Sequence, residues 1–279
     1  MTLNEYADFL LRSGKIADKL YSPESMPEDI PEKNIIAPDR PVRDSKLQFS
    51  DHKSKMPRVE HLNNEENRVL SLHHFANHEL MAVELFAWAL LKFQDAPSSV
   101  RKSIYKTLLE EQKHLRLYLD SIRDWGMDLG DRPLNYIFWK QAPNMQSLQK
   151  FYAVMAISFE GANLDFSLIY RKAFEKFGDE KRAEIMDIVH EDEIRHVKRG
   201  VKVIFSEGVP ASEQWDKYLS LLSHPFTPRR AKGSFYFPEL RMRAGLSTEF
   251  ADSLGKYRDD YEGTTNARIV KGILGFGES

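Results

Sequence analysis

Residues 111–114 read Glu-Gln-Lys-His and residues 193–196 read Glu-Ile-Arg-His. Each is Glu-x-x-His, and an i, i+3 pair on a helix turns both side chains to one face, so each motif offers a carboxylate and an imidazole to one point. With 23 Glu and 9 His among 279 residues, random placement gives about 0.7 such motifs per chain, and one copy alone would mean little. The meaning lies in the repetition. Glu79 precedes Glu111 by 32 residues and Glu160 precedes Glu193 by 33, while the two halves are offset by 81 at the lone Glu and by 82 at both members of the motif. The midpoint of 79 and 111 falls at Asp95, beside Ala96-Pro97, and that of 160 and 193 falls beside Gly178. Antiparallel neighbours meet at positions equidistant from their turn. The spacing therefore predicts two helical hairpins, in each of which a lone Glu faces a Glu-x-x-His.

Working outward, the Ala-, Leu-, Phe- and Met-rich periodic stretches predict helices over about Asn63–Phe93, Ser98–Trp125, Ser147–Phe177 and from Gly178-Asp179 to Phe205. Asp95-Ala96-Pro97, Gly126, Gly178-Asp179 and Gly208 with Pro210 supply the stops. The stretch GMDLGDRPLNYIFWKQAPNM, residues 126–145, is too long for a tight turn and reads as a crossover carrying a short aromatic-rich helix. Two hairpins and one long crossover make an all-α four-helix bundle over residues 60–206. Ahead of it, residues 1–59 read as an arm: a helix over 2–20, opened by Thr2 and Glu5 at capping-box spacing, then an extended segment with six prolines. Residues 207–279 read as a mostly irregular tail with one or two short helices, wrapping the same domain.

Composition narrows the chemistry. Lys plus Arg total 40 against 42 for Asp plus Glu, so no global field attracts nucleic acid or anionic lipid. There is no cysteine, which removes disulfides, thiolate metal sites, iron–sulfur clusters and Cys nucleophiles together. The N-terminus has no basic start followed by an apolar run and a cleavage site, and the most apolar stretch, LMAVELFAWALL, has 12 residues and contains Glu84. That falls short of the roughly 20 residues that cross a bilayer, and the expected location is the cytoplasm, with no membrane partner. Apolar residues surround the motif carboxylates at helical spacing, such as Phe75, Ala82 and Phe86 about Glu79 and Ile104, Leu108 and Leu115 about Glu111. Four ionised carboxylates in such an interior each carry a desolvation cost on the order of several kcal/mol, unless something neutralises them. Two divalent metals supply the missing charge, and His with carboxylate donors suits iron or manganese, with zinc compatible.

The pattern resembles the ferritin-like di-metal carboxylate superfamily, in which two helices each give a Glu and two give Glu-x-x-His. The segments HHFANHELMAVELFAWALLKF, EEQKHLRLYLDSI, SFEGANLDFSLIYRKAF and HEDEIRHVKRG, with the proline-rich lead and the PRR…RAGL tail, resemble a bacterial ferritin-like family filed as a domain of unknown function. The resemblance implies a ligand set of Glu79, Glu111, His114, Glu160, Glu193 and His196, with Glu111 and Glu193 bridging two ions, Fe/Fe or Fe/Mn, and Glu79 and Glu160 terminal.

Glu84 recurs as Asp165, each five residues past a lone Glu, and is an alternative ligand to Glu79 or, with Asp165, a source of interhelical hydrogen bonds. His190, one turn before Glu193, is a further ligand or a satisfied core residue, and Leu108 stands at its repeat position. His73, His74 and His78 read as surface or packing residues, and Tyr118 as core or a redox-active neighbour. In the tail, Arg229, Arg230, Lys232, Arg241 and Arg243 stand with Phe235, Tyr236 and Phe237, either as an RNA-binding patch or paired with acidic residues of the bundle.

The expected function is a di-iron protein that activates O2 or peroxide to oxidise or hydroxylate a small substrate, with an electron donor if it is an oxygenase. Peroxide detoxification, iron binding with ferroxidation, hydroxylation of a tRNA nucleoside and a non-catalytic binding role are the alternatives. A homodimer suits a bundle carrying such extensions better than a storage shell.

Overall fold

From Ser71 to Leu91 every residue except the half-exposed His78 is buried, so the helix that carries Glu79 is apolar all round rather than along one stripe. A helix of that kind must be covered on every side. The computed structural model describes residues 1–52, 55–206 and 208–259, and these form two compact units built on one plan.

The first unit comprises residues 1–57 and 65–143. Its centre is α3 (Glu65–Lys92), which turns at Gln94–Pro97 into α4 (Ser98–Arg123). Helix α4 is amphipathic, burying Ile104, Leu108, Glu111, Leu115, Tyr118 and Ile122 against α3, and Gly126, at φ 71°, stops the chain one turn later. The arm covers another side of α3. It carries α1 (Leu3–Arg12), whose capping box is formed as the sequence predicts, with Thr2 Oγ1 accepting from Glu5 N and Glu5 Oε2 accepting from Thr2 N.

The expected single helix over 2–20 is in fact two, because α2 (Ile16–Lys19) starts after a break at Ser13-Gly14-Lys15. The break has a packing cause. Asp44 N donates to Gly14 O at 3.0 Å, and any side chain at Gly14 would collide with Asp44. Two buried α4 side chains then fasten the arm. Gln112 donates to the carbonyls of Lys19 and Tyr21 and accepts from Tyr6 and Ser22, while Arg101 binds Asp29, Asn4 and the carbonyls of Leu90 in α3 and Phe93 just after it. All the hydrogen-bonding capacity of the Gln112 amide that these four bonds can use is directed at the arm.

The second unit comprises residues 58–64 and those from Asn144 on. Its first long helix runs as α5 (Leu148–Tyr152), a π-helical segment (Ala153–Glu160) and α6 (Gly161–Lys176). Ser147 caps it, accepting from Lys150 N. Gly178, at φ 74°, makes the turn into α7 (Glu180–Ile204). The π segment is braced from two sides. Ser158 Oγ lies 2.7 Å from both Ala153 O and the buried Tyr218 hydroxyl, and α7 approaches so closely at Gly200 that a Cβ there would strike Ala156.

The tail is more helical than the sequence suggests. Its described part holds α8 (Gln214–Leu221), α9 (Pro238–Arg243) and α10 (Thr248–Lys256), each too short to stand out by periodicity. Four of the five basic residues singled out in the sequence are engaged within the unit: Lys232 Nζ donates to Gly255 O in the last turn of α10 and to Tyr257 O just past it, Arg229 donates to Lys232 O, Arg243 pairs with Glu191, and Arg241 binds Asp165. The described residues contain no β-strand, and no helix among them is long and apolar enough to cross a membrane.

Candidate metal centre

In the first unit, Glu79 projects from α3, and Glu111 and His114 from α4, and all three are buried. The Nδ1 of His114 lies 3.3 Å from Glu111 Oε2 and 3.8 Å from Glu79 Oε2. One ligand-type atom from each of the three falls within 4.8 Å of the others.

The second unit repeats this with its own residues. Glu160 closes the π segment, Glu193 and His196 come from α7, and His196 Nδ1 lies 3.4 Å from Glu193 Oε2 and 4.0 Å from Glu160 Oε1. These side chains are buried too, and one ligand-type atom of each again lies within 4.8 Å of the others. Two hairpins with different sequences thus set the same three side chains at the same spacings, with the same imidazole nitrogen facing the carboxylates.

Burial raises the Glu79 carboxyl well above its ordinary range, and the neighbouring Glu111 charge adds to the effect. For His114 burial works against the cation, but the adjoining carboxylates of Glu111 and Glu79 outweigh it and lift the imidazole to about 9. Protons thus neutralise a cluster whose two oxygens and one nitrogen also suit a divalent first-row ion. Each buried Glu/His triad could hold a metal ion; a cluster meant only for packing would gain by replacing these groups with apolar ones.

The carboxylates five residues further along serve another purpose. Glu84, fully buried, accepts from Arg43 Nε at 3.0 Å, Arg43 Nη2 at 2.8 Å and Trp139 Nε1 at 3.1 Å, and pairs with Lys19 Nζ at 3.2 Å. Burial alone would raise its pKa, but Arg43 and Lys19 hold it below the usual carboxylate range. Every partner comes from the arm or the crossover. Asp165 plays the same part in the second unit, gripped by both terminal nitrogens of Arg241 and by the backbone N–H groups of Gly233 and Phe237. Glu84 and Asp165 anchor the two terminal extensions to their own units, and this occupation of its oxygens leaves Glu84 unsuited to replace Glu79.

The remaining expectations resolve by packing. His190 Nδ1 lies 2.9 Å from Ser167 Oγ and is not one of the donors that cluster with His196. His73 accepts from Gly130 N, His78 stacks on Phe138 with centroids 5.0 Å apart, and Tyr118 stacks on Phe75 in the core. Sequence reasoning missed Lys19, Arg43 and Asn163. Asn163 donates from Nδ2 to Glu193 Oε1 at 2.7 Å, and comparison of the repeats could have found it, since Ala82 stands at its counterpart position.

The family model described as "Protein of unknown function (DUF455)" matches residues 7–252. The chain belongs to this family. The matched span reaches both triads and both anchoring arginines, so the DUF455 family includes the extensions as well as the hairpins. No curated protein and no solved structure matches the chain.

Proposed function

We propose that the two triads join into one dinuclear centre, that the fold is the ferritin-like four-helix bundle, and that the protein is a di-iron or iron–manganese oxidoreductase. What carries this reading is the duplication: two triads of Glu, Glu and His with matching Nδ1–carboxylate spacings, one in each unit. Charge supports the pairing. Four carboxylates against two divalent ions sum to zero, so the centre needs no counterion in a dry interior.

When bound, such a metal pair supplies electrons and open coordination positions for O2 or peroxide. The chain's own residues do the rest. Glu79, Glu111, His114, Glu160, Glu193 and His196 hold the ions, and the apolar helices around them exclude water. Leu108, Leu115 and Phe86 beside the first triad are fully buried or nearly so, which keeps the local dielectric low. The substrate class that fits is a small molecule. Hydroxylation would insert one oxygen atom of O2 into a C–H bond and reduce the other to water with two electrons from a donor and two protons from solvent. Four of the five basic residues of the tail patch, Arg229, Lys232, Arg241 and Arg243, are engaged within their own unit, which does not favour RNA.

The test is anaerobic loading with Fe2+, followed by metal analysis and an optical spectrum before and after addition of O2. Two irons per chain, lost in Glu111→Ala and Glu193→Ala, with an O2-dependent spectral change, is the expected result. Iron oxidation that runs on past two ions per chain would indicate ferroxidation instead. A folded chain that binds no metal would overturn the reading in favour of a partner-binding protein.

A further inference from the structure

We propose that Asn163 is a positioning residue for Glu193 that strengthens metal binding by the second triad, a part that Ala82 at its repeat position in the first unit cannot take. The inference deepens the metal-binding reading above and rests on it.

Glu193 presents its two oxygens to different neighbours. Its Oε1 accepts from Asn163 Nδ2 at 2.7 Å, whereas Oε2, buried, has no hydrogen-bond partner among the described residues and lies 3.4 Å from His196 Nδ1. A glutamate has three rotatable side-chain bonds, and fixing one oxygen removes most of the remaining freedom of the other. Oε2 is thereby aimed at the point where the imidazole nitrogen also aims.

Asn163 is itself held. Ser167 Oγ lies 2.6 Å from the Asn163 carbonyl and 2.9 Å from His190 Nδ1. With the hydroxyl donating to that backbone carbonyl, His190 donates from Nδ1 to Ser167 Oγ, so the two bonds brace the main chain of α6 at the residue whose side chain holds Glu193. Both Ser167 and His190 are buried, so these bonds are shielded from competing water.

The repeat makes the role specific. The offsets of 81 and 82 residues place Ala82, Phe86 and Leu108 at the positions of Asn163, Ser167 and His190. Three polar side chains of one unit stand where the other has three apolar ones, although the triads themselves match residue for residue. None of the three apolar side chains can do for Glu111 what Asn163 does for Glu193. Removing a hydrogen bond that orients a metal ligand costs about 10- to 100-fold in affinity.

The test uses the full chain and Co2+, which has visible bands that report its coordination and is stable in air. Wild type, Asn163→Ala and the near-isosteric Asn163→Leu are titrated by calorimetry and absorbance, and the metal-free proteins are melted alongside. The expected result is two Co2+ per wild-type chain and, in both variants, one step weakened about tenfold with the other within twofold and metal-free melting unchanged. His196→Ala should remove the step that the Asn163 variants weaken, with His114→Ala removing the other. Wild-type affinities in Asn163→Leu would overturn the positioning role while leaving the metal reading intact. Absence of Co2+ binding by the wild type would overturn both.

Discussion

Arg241 reaches from α9 of the tail to grip Asp165 of α6 with both terminal nitrogens, and the pair is completely shielded from water. Arg43 of the arm holds both oxygens of Glu84 of α3 with Nε and one terminal nitrogen. Each terminal extension thus sets a buried guanidinium on the carboxylate five residues past a proposed ligand. The two anchors differ in their other partners: Glu84 has a second cation, Lys19, at 3.2 Å, whereas Asp165 has the backbone N–H groups of Gly233 and Phe237. Removing one partner of a buried pair strands the other charge.

Arg241→Met should therefore destabilise the chain by about 3–5 kcal/mol, with Asp165→Asn on top of it recovering much of the loss. Arg43→Met should cost less, since Lys19 still faces Glu84. Urea denaturation of the four proteins measures both statements, and equal losses for Arg43→Met and Arg241→Met would count against the buffering role of Lys19.

Glu79 and Glu84 should separate cleanly. Glu79→Gln is expected to lower metal bound per folded chain with little loss of stability, while Glu84→Gln is expected to lower stability with metal content unchanged. Metal analysis beside thermal melting distinguishes them, and metal loss in Glu84→Gln would return that residue to the ligand set.

His73 should contribute to acid sensitivity beside His78, which burial lowers to about 3. Burial lowers the His73 imidazole from 6.5 to about 4, so the folded state binds fewer protons than the unfolded chain between those values. The His73 contribution is then constant above pH 6.5, falls as the pH drops from 6.5 to about 4, and changes no further below. The full effect is roughly 3 kcal/mol. His73→Gln, which keeps an acceptor for Gly130 N, should show a shallower acid limb in urea denaturation between pH 7 and 4, and an unchanged limb would refute the assignment.

Gly200 is where α7 comes closest to the π segment. Gly200→Ala should cost about 1–3 kcal/mol by overpacking against Ala156, and because Glu160 ends that segment, it should also weaken metal loading. Ala156→Gly in the same chain should restore both, as read by melting and metal analysis.

The hairpins and triads are legible in the sequence because both depend on spacing. Asp95-Ala96-Pro97, Gly126 and Gly178 mark helix ends through local backbone chemistry, and Glu79 with Glu111 and His114 declares itself by recurring as Glu160, Glu193 and His196. The anchors depend on tertiary contact instead. Nothing local tells that Lys19, at the end of the first helical stretch, or Arg43, in the proline-rich segment after it, will lie buried on Glu84, nor that Gly14 must break the first helix to admit Asp44. Asn163 reads as an ordinary polar helix position until it is set against Ala82, and α8 to α10 are too short to show a period.

The π segment from Ala153 to Glu160 carries one more implication. A stretch with i→i+5 bonds fits an additional residue into a helix that otherwise closes every fourth, so α5 and α6 run on different phases of a single wheel. An apolar stripe drawn straight through residues 148–176 mislabels which positions look inward on one side of the widening. Relatives in which the stretch has relaxed to an ordinary α-helix would be one residue shorter there, and the gap belongs ahead of Glu160, where it keeps that carboxylate in register with Glu193 and His196.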